Sequence, residues 1–402
     1  MLSVSEAQKR ILADLTPTGT ELVSLAESWG RVAAAPICAR LDNPPADVSA
    51  MDGYAVRAVD CRSGDTLRIV GESPAGHPFQ GQVEAGTCVR LYTGSVLPDG
   101  ADSILIQENA RTEAGDRIAV LSGVATGQHI RRRGQDFALG WPVVPEGRHI
   151  LAREVGLIAA ANHAWVPVYR RPVVAILSTG DEVSLPGGDI PPGGIANSNA
   201  PMLAALVRAC GATPLILPTA RDDAAEIARL ASGIEAADLL LTAGGASVGR
   251  YDLVQEGLGR IGLSVDFWKI AMRPGKPLMH GRIGRVPVLG LPGNPVAALV
   301  CGILFIMPAI RAMSGRADLT VDHDLARLGS ALPANDLRMD HLRASLARAD
   351  DGALVATAFS RQDSAMLRTL ADSQALIVRP PHAPAAERGE TCRIIRLDTL
   401  FI

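Results

Sequence analysis

Three glycine-rich loops of the kind that hold phosphate fall between Thr242 and Pro295: TAGGASVGRYD (Thr242 to Asp252), MRPGKP (Met272 to Pro277) and LPGNP (Leu291 to Pro295). The first follows an apolar run ending at Leu241. The third follows Val286-Pro-Val-Leu289 and leads into an apolar helical stretch, Val296 to Ile306. A strand, a glycine turn and a helix in succession expose backbone N–H groups and the positive end of a helix to an anion. The phosphate-facing candidates are Gly244, Gly245, Ser247 and Gly249 in the first loop and Arg273 and Lys276 in the second. The third offers Pro292, Gly293, Asn294 and Pro295, where proline fixes φ and leaves neighbouring N–H groups exposed.

Acids and bases accompany these loops. Asp52, Asp136, Asp181, Glu182, Asp222, Asp223 and Asp252 offer carboxylates, and Arg131 to Arg133, Lys269, Arg273 and Lys276 offer positive charge. Carboxylates alone repel a phosphate. They become useful when a hard divalent cation such as Mg²⁺ bridges them to phosphate oxygens, with Lys and Arg holding the remaining charge. The mixture favours metal-assisted phosphate chemistry over acyl transfer, and no G-x-S-x-G elbow or Ser/His/Asp set competes with it. The eight histidines show no H-E-x-x-H or H-x-H spacing. Several acids have a plain structural alternative: Asp52 before Gly53 suits a turn, and one of Asp222 and Asp223 suits the cap of the helix that follows. The arginine run from Arg131 also suits a solvated face.

Elements must bring these groups to one place. Four short β-type runs are legible: Val173 to Leu177, Thr213 to Leu217, Asp238 to Leu241 and Val286 to Leu289. Helical patterns at Asn199 to Cys210 and Asp222 to Ser232 separate the first three. Such alternation predicts a parallel, doubly wound sheet, whose ligands bind beyond the carboxyl ends of the strands. That edge collects Ser178-Thr-Gly-Asp-Glu182, Thr219-Ala-Arg-Asp-Asp223, the GGASVG loop and LPGNP, and it makes Ser178 and Thr179 substrate-facing candidates.

Other motifs extend along the chain: Ser49-Ala-Met-Asp-Gly-Tyr-Ala-Val-Arg57, Tyr92-Thr-Gly-Ser95, Leu97-Pro-Asp-Gly-Ala-Asp102, Gln107-Glu108 and Arg131-Arg-Arg-Gly-Gln-Asp136. With STGDE, PGKP and LPGNP in this order, the chain resembles the MoeA family of molybdopterin molybdenumtransferases, which is related to the C-terminal domain of gephyrin. The resemblance covers nearly the whole length. It implies an enzyme that takes adenylated molybdopterin and molybdate, inserts molybdenum at the dithiolene with Mg²⁺ present, and releases AMP. By the same resemblance Asp52, Asp136, Asp222, Asp252 and Glu182 match acids of metal binding or catalysis, with Glu182, Asp222 and Asp252 as the metal set. Thr93, Arg131, Lys269 and Lys276 match substrate-side positions. Two departures stand out: Arg273 replaces a frequent Lys or Gln, and Arg361-Gln-Asp-Ser364 replaces a His-Gln-x-Ser run, which weakens a substrate role for Ser364.

At 402 residues the chain is long enough for several domains. A net charge of −3 and 3% aromatic residues disfavour a nucleic-acid partner. Six scattered cysteines without a C-x-x-C pair fit reduced thiols, and with no leader at the N-terminus a cytoplasmic setting is expected. Val296 to Ile310 is the most apolar stretch and reads as a buried helix, not a membrane span. Short β-like runs such as Asp65 to Val70, Cys88 to Tyr92 and Ser103 to Ile106 predict a β-rich domain over 44–145. The α/β domain should occupy 171–317 and a small β domain 318–402. From the resemblance, 1–43 and 146–170 join as one discontinuous elongated domain, and the chain is a homodimer whose β-rich domain reaches the partner's α/β unit. Transient contact with the adenylyltransferase and with molybdoenzymes is implied as well. The alternatives are that adenylyltransferase itself, whose fold resembles residues 173–315, and a non-enzymatic scaffold of the gephyrin type. SAMDGYAVR and RRRGQD, outside the α/β unit, argue against the adenylyltransferase.

Overall fold

The computed structural model describes residues 1–244 and 251–400, with Tyr251 and Asp252 described by backbone only. Its centre is a six-stranded sheet in the order Thr213–Ile216, Val173–Ser178, Leu239–Ala243, Val286–Leu291, Met279–Ile283, Leu263–Trp268. The first four strands are parallel and the last two antiparallel. Alternate residues of the parallel strands enter opposite cores. Val174, Ile176, Leu241 and Leu289 pack with Leu203 and Val207 of helix Asn199–Ala209 and with Val300. Ala175, Leu177, Leu240 and Val288 pack with Ile227 of helix Ala224–Ala231 and with Val254 and Leu258 of helix Tyr251–Gly259. Both faces are covered, as a doubly wound parallel sheet requires. The two antiparallel strands carry weaker sequence patterns: one contains His280-Gly-Arg282, and the other is broken by an irregularity between Val265 and Phe267.

The apolar helix after LPGNP runs Pro295–Met313, with mean hydropathy 2.2, and 83% of its most apolar window is buried within the fold. It is α-helical over Pro295–Cys301 and Met307–Met313 and π-helical over Gly302–Ile306. Gly302 lets helix Asn199–Ala209 pack closely: a Cβ there would meet Leu206 Cδ2 at 2.4 Å and the leucine end would have to shift. Pro308 has no N–H for the carbonyl of Leu304, one turn earlier. Gln8 replaces that donor, its Nε2 donating to Leu304 O at 2.9 Å. Helix Val4–Ala13, which carries Gln8, buries Val4, Ala7 and Ile11 in the same core. The first helix therefore packs on the α/β unit, although the resemblance groups residues 1–43 with the elongated domain.

Segments from both sides of the β-rich region share another core, made by Val23, Ile37, Val144, Ile158, Val166 and Val168. Ribbon Thr20–Ser24 pairs there with Trp165–Tyr169, and helix Ala152–Ala160 lies across it. Glu154 fixes the start of that helix: it accepts from Leu151 N at 3.0 Å and pairs with Arg148 and Arg153. Between these segments lies a six-stranded β sheet, Ser103–Ile106, Gly53–Val56, Thr87–Leu91, Thr66–Ser73, Arg117–Val120, Ala110–Glu113. The C-terminal sheet runs Met339–Arg348, Leu354–Ala358, Asp324–Leu328, Thr391–Arg396, Ala375–Arg379 and closes on itself through the first and last of these. Met272–Arg273, from the α/β unit, adds to it parallel to Met339–Asp340.

Candidate active site at the sheet edge

The carboxyl ends of the parallel strands open into a cavity of about 700 Å³. Its walls include the predicted Ser178, Thr179, Glu182 and Gly244, then Arg273 and Lys276 of the second loop, and Pro292, Gly293, Asn294 and Pro295 of the third. Asp52, Thr93, Arg131, Asp136, Asp222 and Lys269 are not in its lining. Gly245, Ser247, Gly249 and the Asp252 side chain lie outside the described residues.

Ser178 ends its strand, and Ser178 and Thr179 are only 2% and 1% exposed. Thr179 N donates to Ala243 O at 3.1 Å, which stitches the STGDE segment to the first glycine loop. The approach is so close that a Cβ on Gly244, at φ +128°, would meet Thr179 O at 2.2 Å. The hydroxyls of Ser178 and Thr179 are buried with no hydrogen-bond partner among the described residues, an unusual state for buried polar groups. LPGNP is held from two sides. Asn199 Nδ2 donates to Gly293 O at 2.7 Å, and Asn294 Nδ2 donates to Ser364 Oγ at 2.8 Å. Val296 N also donates to Ser364 O at 3.1 Å. Pro295 is the first helical residue, so the turn and the helix N-terminus present backbone N–H groups and positive potential to the cavity.

The cations divide. Lys276 lines the cavity and has no ion-pair partner among the described residues. Arg273 also reaches the wall, but Asp340 engages its guanidinium through both carboxylate oxygens, and that hydrogen bonding raises the arginine pKa further. Lys269 is placed elsewhere, with its ammonium 4.5 Å from the centroid of the Trp268 ring.

The remaining predicted acids resolve into local roles. Asp52 and Thr93 form one unit, the carboxylate accepting from Thr93 N at 2.7 Å and Thr93 Oγ1 at 2.8 Å. Those hydrogen bonds, the backbone one first, hold the Asp52 carboxyl below its ordinary range. Asp136 accepts from Asn43 Nδ2 at 3.1 Å, and Arg131 is exposed on a short strand paired with Val48–Ser49. Asp223, not Asp222, caps helix Ala224–Ala231 by accepting from Glu226 N, while Asp222 N donates to Asp181 Oδ1 at 3.0 Å. The expected trio of Glu182, Asp222 and Asp252 includes a side chain, that of Asp252, outside the described residues; among the described residues no group of three His, Cys, Asp or Glu side chains converges as a cation site.

Sequence reasoning missed Asn199, Arg338, Gln362 and Asp363, which also line the cavity, and undervalued Ser364. Asn199 reads as one more polar residue at a helix start. Arg338 and Gln362 to Ser364 come from the C-terminal domain, where no motif announces a site. The altered Arg361-Gln-Asp-Ser364 run was the signal available for Ser364.

Comparison with known proteins agrees with this layout. Residues 2–162 match the MoeA N-terminal region (domain I and II), 175–312 a probable molybdopterin binding domain, and 325–397 the MoeA C-terminal region (domain IV). A molybdopterin biosynthesis MoeA protein from Pyrococcus horikoshii OT3 superposes with TM-score 0.85 at 28% identity, covering 98% of this chain and 99% of that one. The class is therefore a MoeA-type multidomain protein, in which the α/β unit is one part of a larger assembly. Molybdopterin molybdenumtransferase 2 of Mycobacterium tuberculosis is 36% identical over 407 aligned positions, covering 98% of this chain and 99% of the relative. The molybdopterin molybdenumtransferase of Nostoc sp. is 38% identical over 307 aligned positions, 74% of this chain and 70% of the relative. The chain belongs to the molybdopterin molybdenumtransferase family and is an enzyme of that family.

Proposed function

We propose that the sheet-edge cavity binds adenylated molybdopterin and molybdate, inserts molybdenum into the pterin dithiolene, and releases AMP in a Mg²⁺-dependent reaction. One observation carries this reading: phosphate loops, a lysine, a carboxylate and buried hydroxyls meet in one cavity of about 700 Å³, large enough for a nucleotide-linked ligand. The LPGNP turn and its helix N-terminus suit a phosphate group, and Lys276 adds a positive charge beside it. Ser178 and Thr179 gain hydrogen bonds when a polar ligand arrives, which offsets the cost of burying them. The P–O–P link between pterin phosphate and AMP is then cleaved by water, whose oxygen ends on a phosphate.

The donor chemistry fits Mg²⁺. This ion takes one or two carboxylates and completes its shell with waters and substrate phosphates, so a preassembled protein cage is unnecessary. Glu182 and Asp363 are the described carboxylates in the lining, and Glu182, at the same edge as Asp222 and Asp252, is the one suited to hold it. When bound, the ion would neutralise charge on the phosphate oxygens; the chain's own groups orient the ligand.

No residue of 44–145 lines the cavity, so a role for Asp52, Thr93, Arg131 and Asp136 calls for a second copy of the chain. A homodimer with two shared sites follows from that requirement. The six free cysteines suit the cytoplasm, and a substrate that arrives already adenylated calls for transient contact with the adenylyltransferase upstream and with molybdoenzymes downstream. To test the reaction, purified protein is incubated with adenylated molybdopterin and Mg²⁺, and AMP is followed by chromatography. AMP release should require both molybdate and Mg²⁺. An equal rate without molybdate, or with a chelator present, overturns the reading.

A further inference from the structure

We infer that Arg273 is a positioning residue that straps the C-terminal domain onto the cavity, and not a ligand for substrate phosphate. The sequence alone gives the opposite impression, because Arg273 sits in the same short loop as Lys276. In the structure, Met272–Arg273, which follows strand Leu263–Trp268 at the edge of the α/β sheet, pairs with Met339–Asp340 of the C-terminal sheet, and Met339 N donates to Ala271 O at 2.9 Å.

The side chain repeats that crossing. Arg273 Nε donates to Asp340 Oδ1 at 2.9 Å, and Nη2 donates to Asp340 Oδ2, a fork-to-fork pair. The far side of the guanidinium faces Asp336, with Nη1 at 3.6 Å, and Asn335, with Nη2 at 3.4 Å from Oδ1. Nε and Nη2 are thus committed to protein acceptors, and the remaining Nη1 faces the Asp336 carboxylate. Asp340 is 4% exposed, so its charge depends on that partner.

The strap ends at the cavity wall. Asp336 also pairs with Arg338 at 2.9 Å, and Arg338 lines the cavity. Asn335 Nδ2 donates to the carbonyls of Arg338 and Pro380, which fixes the same bend. One arginine thereby registers the wall contributed by the C-terminal domain against the loop that carries Lys276. A lysine at this position keeps the charge but has no planar fork to satisfy Asp340 and reach Asp336 together.

The activity and AMP-affinity arms of the test rest on the proposed reaction; the exchange arm does not. Arg273→Lys, Arg273→Gln, Asp340→Asn and the double variant Arg273→Gln/Asp340→Asn are compared with wild type. Hydrogen exchange of the peptide covering 335–343 should speed up at least about 5-fold in Arg273→Lys and in Asp340→Asn, while global melting stays cooperative. AMP affinity, measured by calorimetry, should stay within about 2-fold in Arg273→Lys, because no phosphate contact is lost. The turnover number should fall roughly 10-fold in each single variant, and the double variant should be no worse than either. Unchanged exchange in 335–343, a 10-fold loss of AMP affinity in Arg273→Lys, or additive losses in the double variant overturns the inference. If wild type shows neither turnover nor AMP binding, the proposed reaction fails by itself, and the exchange arm still decides whether Arg273 straps the C-terminal domain.

Discussion

Gly244→Ala is the smallest change that should disable the site while sparing the fold. A Cβ at position 244 would stand 2.2 Å from Thr179 O and 3.0 Å from Thr179 Oγ1, whereas ordinary contact begins at 3.4 Å. The ends of strands Val173–Ser178 and Leu239–Ala243 must then separate by about 1.2 Å, or the loop must swing out by a similar amount. Misplacement on the order of 1 Å in a positioned site costs about 10²-fold in rate. The backbone at φ +128° adds strain on the order of 1–3 kcal/mol for a residue with a side chain. Gly233→Ala separates the two effects, because Gly233 has φ +84° but nothing within 4 Å of a built Cβ, and it lies outside the cavity. Single-turnover AMP release per folded molecule and urea melts should be measured on both variants. Gly244→Ala should lose about 10²-fold in rate, and Gly233→Ala should lose stability alone. A Gly244→Ala rate within about 3-fold of wild type would refute the close-packed loop edge as the seat of the reaction.

Three further outcomes follow from other parts of the molecule. Gln8→Ala leaves Leu304 O without a donor above Pro308 and should cost about 1–3 kcal/mol in denaturant melts with activity per folded molecule retained; no stability change would show that water replaces the amide. Burial acts to raise the Glu154 pKa, but hydrogen bonds from Arg148, Arg153 and Leu151 N outweigh it and bring it down to about 2 from an ordinary 4.5. A depressed carboxylate pKa stabilises the fold above the ordinary value and loses that contribution as pH falls toward 2. The gap between wild type and Glu154→Gln should therefore be at most about 3 kcal/mol near neutrality, less the screening at the exposed arginines, and should shrink through this acid range in melts across pH. Mixing inactive Asp52→Ala and Glu182→Ala chains should restore about a quarter of wild-type turnover once subunits exchange, since about half the dimers are mixed with one intact site each. No recovery after verified exchange would place both acids within one chain.

The parts legible in the sequence are those governed by local pattern. Val173 to Leu177 and Val286 to Leu289 are apolar on both faces and end in glycine turns, so the parallel strands and their ligand edge could be read directly. His280-Gly-Arg282 breaks any apolar alternation, which hid the two strands that extend the sheet by antiparallel pairing. Contacts between distant residues were also hidden. Asp52 and Thr93 are 41 positions apart, and neither sequence neighbourhood shows that the two acts as one unit. The same holds for Gln8 and Leu304, and for Arg273 and Asp340, where the arginine's apparent kinship with Lys276 pointed to phosphate. Residues drawn into the cavity from the C-terminal domain, Arg338 and Gln362 among them, come from loops between strands whose local sequence does not announce a ligand.

The central claim is that one cavity couples loss of AMP to gain of molybdenum. The most direct measurement is a single turnover with isotopically labelled molybdate, counting molybdenum in the pterin product and AMP released from the same sample. The account predicts about one molybdenum per AMP, with both lost together in Glu182→Gln and Lys276→Ala. AMP release without molybdenum in the product, or molybdenum insertion that survives both substitutions, would contradict it.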